Sequence, residues 1–123
     1  PLAVMRRDPI GLAAVNDGID FSNGSSPTFG TDAHQMTSGA YMMWSGNTDF
    51  NGTLKYVGAN NDRDPILVTI GGIVPTNTVN GYHTADVNMD GIVKYVGANN
   101  DRDPILQSVG GSVPTNVKEG SVP

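Results

Sequence analysis

The chain has 123 residues, 37% hydrophobic and 15% charged, with 16 Gly, 8 Pro, no Cys and a formal net charge of −5. That length allows one domain, or one with a piece of another, and no apolar run approaches the ~20 residues of a membrane span. The lack of cysteine excludes disulfides, thiolate zinc centres and iron–sulfur clusters, and the acidic balance argues against a nucleic-acid surface.

All the acids but Glu119 are aspartates. Asp favours turns, caps and metal loops over helix interiors, so a helical bundle is not expected. With Pro1 in place of an initiator Met and no signal-peptide pattern, the chain reads as a processed piece of a larger protein.

Residues 1–46 carry short apolar runs: Leu2-Ala3-Val4-Met5, Ile10-Gly11-Leu12-Ala13-Ala14-Val15 and Ile19-Asp20-Phe21. Asp8-Pro9 and Asn16-Asp17-Gly18 break them, which is strand-and-turn punctuation. Residues 23–27 read as a loop. Ala40-Tyr41-Met42-Met43-Trp44 reads as a buried strand or a helical turn, ended by Gly46. The segment is taken as a β region able to complete an Ig-like sheet.

A tandem repeat follows, residues 47–84 and 85–123. Lys55-Tyr56-Val57-Gly58-Ala59-Asn60-Asn61-Asp62-Arg63-Asp64-Pro65-Ile66-Leu67 recurs unchanged at 94–106, 39 residues on. Two copies are too few for a solenoid or propeller, so a pair packed face to face is expected.

Each copy reads as a calcium loop and a short helix. In Asp86-Val87-Asn88-Met89-Asp90-Gly91-Ile92, oxygen-bearing side chains stand at the first, third and fifth loop positions. Glycine permits the turn, and the seventh residue, Ile92, adds a carbonyl. The EF-hand glutamate at position twelve is replaced by Gly97, and the closing acids come later, Asp101 or Asp103 or both. Residues 94–99 then look like a bulging insertion. Asp103-Pro104 reads as an N-cap with proline at the first helical position, and Gly110-Gly111 as the stop about two turns later. In the first copy the set is Asn47, Asp49, Asn51, Thr53, Asp62 and Asp64, with fewer charges and a weaker expected affinity. The acids grouped in each loop would repel one another without a cation. Ile66-Leu67-Val68 and Ile105-Leu106-Gln107 are read as core-facing.

The half-loop plus short helix, present twice, resembles dockerin-type repeats in part. Over nearly the whole chain, Leu2-Ala3-Val4-Met5, Ala40-Tyr41-Met42-Met43-Trp44 and the twin units resemble the C-terminal region of large secreted surface proteins of Bacteroidetes. The resemblance implies an extracellular, cell-surface, structural or adhesive role without catalytic residues. Asp86, Asn88, Asp90, Asp101 and Asp103 match its motif, while Asn47 and Asn51 depart from its usual acids.

No nucleophile elbow, P-loop or dinucleotide fingerprint is present. His34 and His83 lack zinc spacing and read as surface or half-buried polar residues. Asn23-Gly24-Ser25 and Asn51-Gly52-Thr53 match the glycosylation sequon. Tyr56, Tyr95 and Trp44 are assigned to packing ahead of sugar stacking.

The fold expected is small, mainly β or α+β, with two EF-hand-like calcium loops and Ca2+ as the cofactor. The function expected is a calcium-stabilised, non-enzymatic module of a secreted bacterial surface protein. It would associate with itself or with neighbouring domains. Strand addition through residues 1–7 would assemble it into a filament. The alternative is a dockerin-like or carbohydrate-binding adhesion module.

Overall fold

A computed structural model describes residues 7–8 and 18–120. The expected strands at 2–5 and 10–15, and most of the segment proposed for strand addition, lie outside the described residues. Among the described residues the fold is a small mixed α/β arrangement of three two-stranded antiparallel sheets and two short helices.

In the N-terminal segment β1 (Gln35–Thr37) pairs with β2 (Ala40–Met42), joined by Ser38-Gly39. Both turn residues have positive φ, 52° and 83°, as the tightest right-twisting hairpin turns require. Among the described residues of 1–46 this hairpin is the only sheet. Residues 19–21 do not form the expected strand. The segment leans on the second repeat: Asp32 N–H donates to Glu119 O at 2.8 Å, and Trp44 Nε1 to Asp32 O at 2.8 Å. Lys118 Nζ lies 3.6 Å from Asp32 and 4.9 Å above the Trp44 ring.

The repeats are β3 (Thr53–Lys55), α1 (Arg63–Thr69) and β4 (Thr78–Asn80), then β5 (Ile92–Lys94), α2 (Arg102–Ser108) and β6 (Val117–Glu119). Pairing crosses between them. β4 pairs with β5, Thr78 opposite Lys94; β3 pairs with β6, Lys55 opposite Val117. Each repeat lends its first strand to the other's last, which gives the pair a pseudo-two-fold relation.

One core lies between them, built from Leu54, Ile66 and Ile70 of the first repeat and Ala85, Val87, Val93, Ile105 and Val109 of the second. Gly46 is needed at its edge. It has φ 111°, and a Cβ there would stand 2.8 Å from Ile105 Cγ1. Val68 corrects the core-facing reading: it is 71% exposed, on the outer side of a helix that buries Ile66.

Both helices begin earlier than the proline predicts. α2 starts at Arg102, so Pro104 is the third helical residue and Asp103 the second. The cap comes from the preceding asparagine. Asn100 Oδ1 accepts from Arg102 N–H at 3.1 Å and Asp103 N–H at 3.2 Å, while its Nδ2 donates to Asp103 Oδ2 at 2.9 Å. Asn61 does the same for α1. This reciprocal exchange satisfies donors that the first turn leaves without intrahelical partners. The expected glycine stop is present: Gly111 N–H donates to Leu106 O at 2.8 Å, and Gly72 to Leu67 O at 2.8 Å.

Candidate metal centre

Two fully buried carboxylates, Asp62 and Asp101, clasp the half-loops. Asp101 Oδ1 accepts from Val87 N–H at 2.7 Å and Asn88 N–H at 3.3 Å, and Oδ2 from Lys94 N–H at 2.7 Å. One side chain thus holds both ends of the loop. Asp62 Oδ1 accepts from Thr48 N–H and Oδ2 from Lys55 N–H, each at 2.8 Å. Burial pushes the Asp62 carboxyl up to about 6, against the downward pull of the Lys55 and Thr48 donors; the nearby Asp49 charge adds to the rise. Burial likewise raises Asp101, offset in part by its Lys94, Asn88 and Val87 donors.

The clasp curls residues 86–92 into a loop stitched by its own side chains. Asp86 Oδ1 accepts from Asp90 N–H at 3.1 Å and Oδ2 from Gly91 N–H at 2.9 Å. Asn88 Oδ1 also accepts from Asp90 N–H, and Asp90 Oδ1 from Ile92 N–H, both at 2.9 Å. Between the loop and the start of α2 lies a cleft of about 430 Å³, lined by Asn88, Asp90, Asn99, Asn100, Asp103, Pro104 and Gln107. The sequence leaves Asp101 and Asp103 as alternatives, and the structure gives them different places. Asp103 shares the cleft with Asn88 and Asp90. Asp101 braces the loop from within, and Asp86 lines a different cleft. Ile92, the candidate carbonyl ligand, stands in β5 opposite Asn80.

In the first loop Asn51 N–H and Nδ2 donate to Asp49 Oδ1 and Oδ2, at 3.1 and 2.8 Å. Thr53 N–H donates to Asn51 Oδ1 at 2.8 Å, and Asp64 Oδ2 accepts from Asn61 Nδ2 at 2.9 Å. Asn47, at the loop's first position, is 5% exposed, and its Oδ1 is buried without a hydrogen-bond partner. An acceptor left so costs about 1–3 kcal/mol.

These donors fit a hard cation. They are carboxylate and amide oxygens with no sulfur or imidazole among them, the choice of calcium and magnesium over softer metals. The set is mixed rather than a carboxylate cage: among the described residues no three His, Cys, Asp or Glu side chains stand together as a metal would need.

The bulging insertion has a second role that the sequence reading missed. Arg102 lies 4.4 Å over the Tyr95 ring, and Arg63 4.6 Å over Tyr56. Each cation–π contact ties the residues after the strand to the first turn of the helix. The signal was present in the repeated Tyr and Arg, but a contact seven residues apart across a turn has no periodic signature. His34 packs on Tyr41 with ring centroids 4.4 Å apart, and His83 lines the cleft beside Asp86.

A scan against family models and searches of curated proteins and solved structures found no match. Among the described residues no helix is long and apolar enough to cross a membrane.

Proposed function

We propose that this chain is a calcium-stabilised structural module of a secreted bacterial surface protein, with the stronger cation site in the second repeat. Asn88, Asp90 and Asp103 would ligate there, with Asp86 and the Ile92 carbonyl as the remaining loop donors. The weaker site would use Asn47, Asp49, Asn51, the Thr53 carbonyl and Asp64. Asp62 and Asp101 serve as the clasps that shape the two loops.

The observation that carries the reading is the unpartnered, buried Asn47 Oδ1 at the first ligand position of a loop whose other candidate positions, Asp49, Asn51 and Thr53, also carry oxygen. A cation there removes a desolvation penalty that the apo chain bears. The core also supports it, since eight buried apolar side chains give a domain little stability of their own. Secretion is supported by the resemblance to Bacteroidetes surface proteins, and assembly into filaments by the apolar run in residues 1–7, which suits strand addition.

The test is thermal unfolding. At free calcium 100-fold above the dissociation constant one site adds about 2.7 kcal/mol, so the melting temperature should fall clearly in EDTA. Identical melting curves in chelator and in excess calcium would remove the reading.

A second reading, as a carbohydrate-binding adhesion module, is favoured by one feature. A cleft of about 390 Å³ opens between the two loops, with the exposed side chains of Phe50, Tyr82 and Met89 around Ser45, His83 and Thr84. Apolar lips over polar groups suit a pyranose ring. Glycan-array binding lost in Tyr82→Ala would establish it, and a blank array would leave the structural role.

A further inference from the structure

The chain holds three Asn-Gly steps, at Asn23-Gly24, Asn51-Gly52 and Asn80-Gly81. Such steps are chemically reactive, because glycine leaves the next backbone nitrogen unhindered for attack on the asparagine side chain. The fold treats the three differently. Asn80 lies in β4, and Gly81 N–H is tied to Gly91 O at 2.8 Å. Asn23 has the Tyr41 ring packed over Gly24. At Asn51, in an exposed turn, no hydrogen bond to any described residue holds the Gly52 N–H, whereas its counterpart Gly91 N–H is bound by Asp86 at 2.9 Å. Thr53 N–H donates to Asn51 Oδ1 at 2.8 Å, which polarises the side-chain carbonyl. Ser25 N–H does the same for Asn23 Oδ1 at 2.8 Å, so it is the Tyr41 ring against Gly24 that sets Asn23 apart.

We propose that Asn51 is a self-modifying site, converted without an enzyme to aspartate or isoaspartate. Gly52 N attacks Asn51 Cγ and gives its proton to water. The Cγ–Nδ2 bond breaks, Nδ2 takes a proton and leaves as ammonia, and the five-membered imide remains. Water then opens the imide at either carbonyl, which forms aspartate at one and isoaspartate at the other. No oxidant or metal takes part. The aspartate product carries at loop position five the charge that Asp90 carries in the second repeat. The weaker loop thereby gains its second formal charge after synthesis. This last consequence rests on the calcium reading; the modification does not.

The experiment incubates the full chain at mildly alkaline pH in EDTA and follows each Asn-Gly step by peptide mass mapping. Asn51 should convert about tenfold faster than Asn80, the ratio for a barrier difference of about 1.4 kcal/mol. In denaturant the two rates should converge. Equal rates in the native chain, a faster Asn80, or a ratio that persists in denaturant would each overturn the proposal. A parallel arm in calcium separates the two readings. Protection of Asn51 by calcium supports both. Fast conversion unaffected by calcium upholds the modification and counts against a cation in the first loop. The Asn51→Asp variant should bind calcium several-fold more tightly than the unmodified chain.

Discussion

A buried aspartate usually signals a partner cation, but Asp62 and Asp101 are held by backbone N–H groups from both ends of a half-loop. Their rise in pKa follows from that choice: the donors favour the charged form, burial opposes it, and burial wins. The consequence for stability has a definite sign. With its folded value at about 6, above the ordinary unfolded value of about 3.9, the native state binds a proton more readily than the unfolded chain. The Asp62 contribution is therefore most favourable at low pH and declines as pH rises through the interval from about 4 to about 6. In calcium-free protein the Asp62 carboxyl carbon should titrate by NMR near that upper value, and a midpoint in the ordinary carboxylate range would refute the assignment. Asp62→Asn should abolish this pH dependence and cost about 1–3 kcal/mol, because its NH2 must face either the Thr48 or the Lys55 donor. The sequence placed these aspartates in the loops but could not assign their role. Ligand and clasp need the same residue type, and only the position of the backbone donors separates them.

At the scale of the element, α1 and α2 have seven residues each and are too short to persist alone. Their ends are therefore fixed in detail, by Asn61 and Asn100 at the start and by glycine pairs at the stop. Asn100→Ala should destabilise the chain by about 1 kcal/mol in urea unfolding. In α2 this removes the acceptor for both Arg102 and Asp103 N–H. Asp103→Ala leaves that acceptor in place and should cost less stability, so the reverse order would show that the carboxylate and not the asparagine is the cap. The proline led the sequence reading two residues astray, since proline is tolerated throughout a first turn. β4 and β6 went unseen for another reason. Three residues such as Thr78-Val79-Asn80 or Val117-Lys118-Glu119 show no useful alternation, and the partner of β6 lies some sixty residues away in β3.

For the whole molecule the decisive feature is the crossed pairing. Neither repeat owns a sheet: β5 is completed by β4 from the other repeat, and β3 by β6. The duplication that the sequence showed plainly is thus a pair of interlocked halves. Because the halves share one strand–helix–strand layout, with β5 in the place of β3 and β6 in the place of β4, each can play the other's part. A fragment of residues 86–123 retains β5, α2 and β6 but loses both partner strands. Two copies can restore them through a two-fold interface in which residue i meets j and j meets i. In such a dimer Lys94 of one copy would pair with Val117 of the other, as Lys55 pairs with Val117 in the intact chain. The expected result is a calcium-replete fragment that sediments as a dimer, with a melting temperature that rises with concentration. Val93→Asp should abolish its folding by placing a charge in the shared core, where Val93 is fully buried. A folded monomeric fragment would mean that β5 and β6 of one repeat pair with each other, and the interlock would then be an accident of the tandem arrangement. A fragment unfolded at every concentration would mean that the first repeat or the N-terminal segment supplies contacts its own copy cannot, with the Asp32 and Trp44 docking onto Lys118 the first to test.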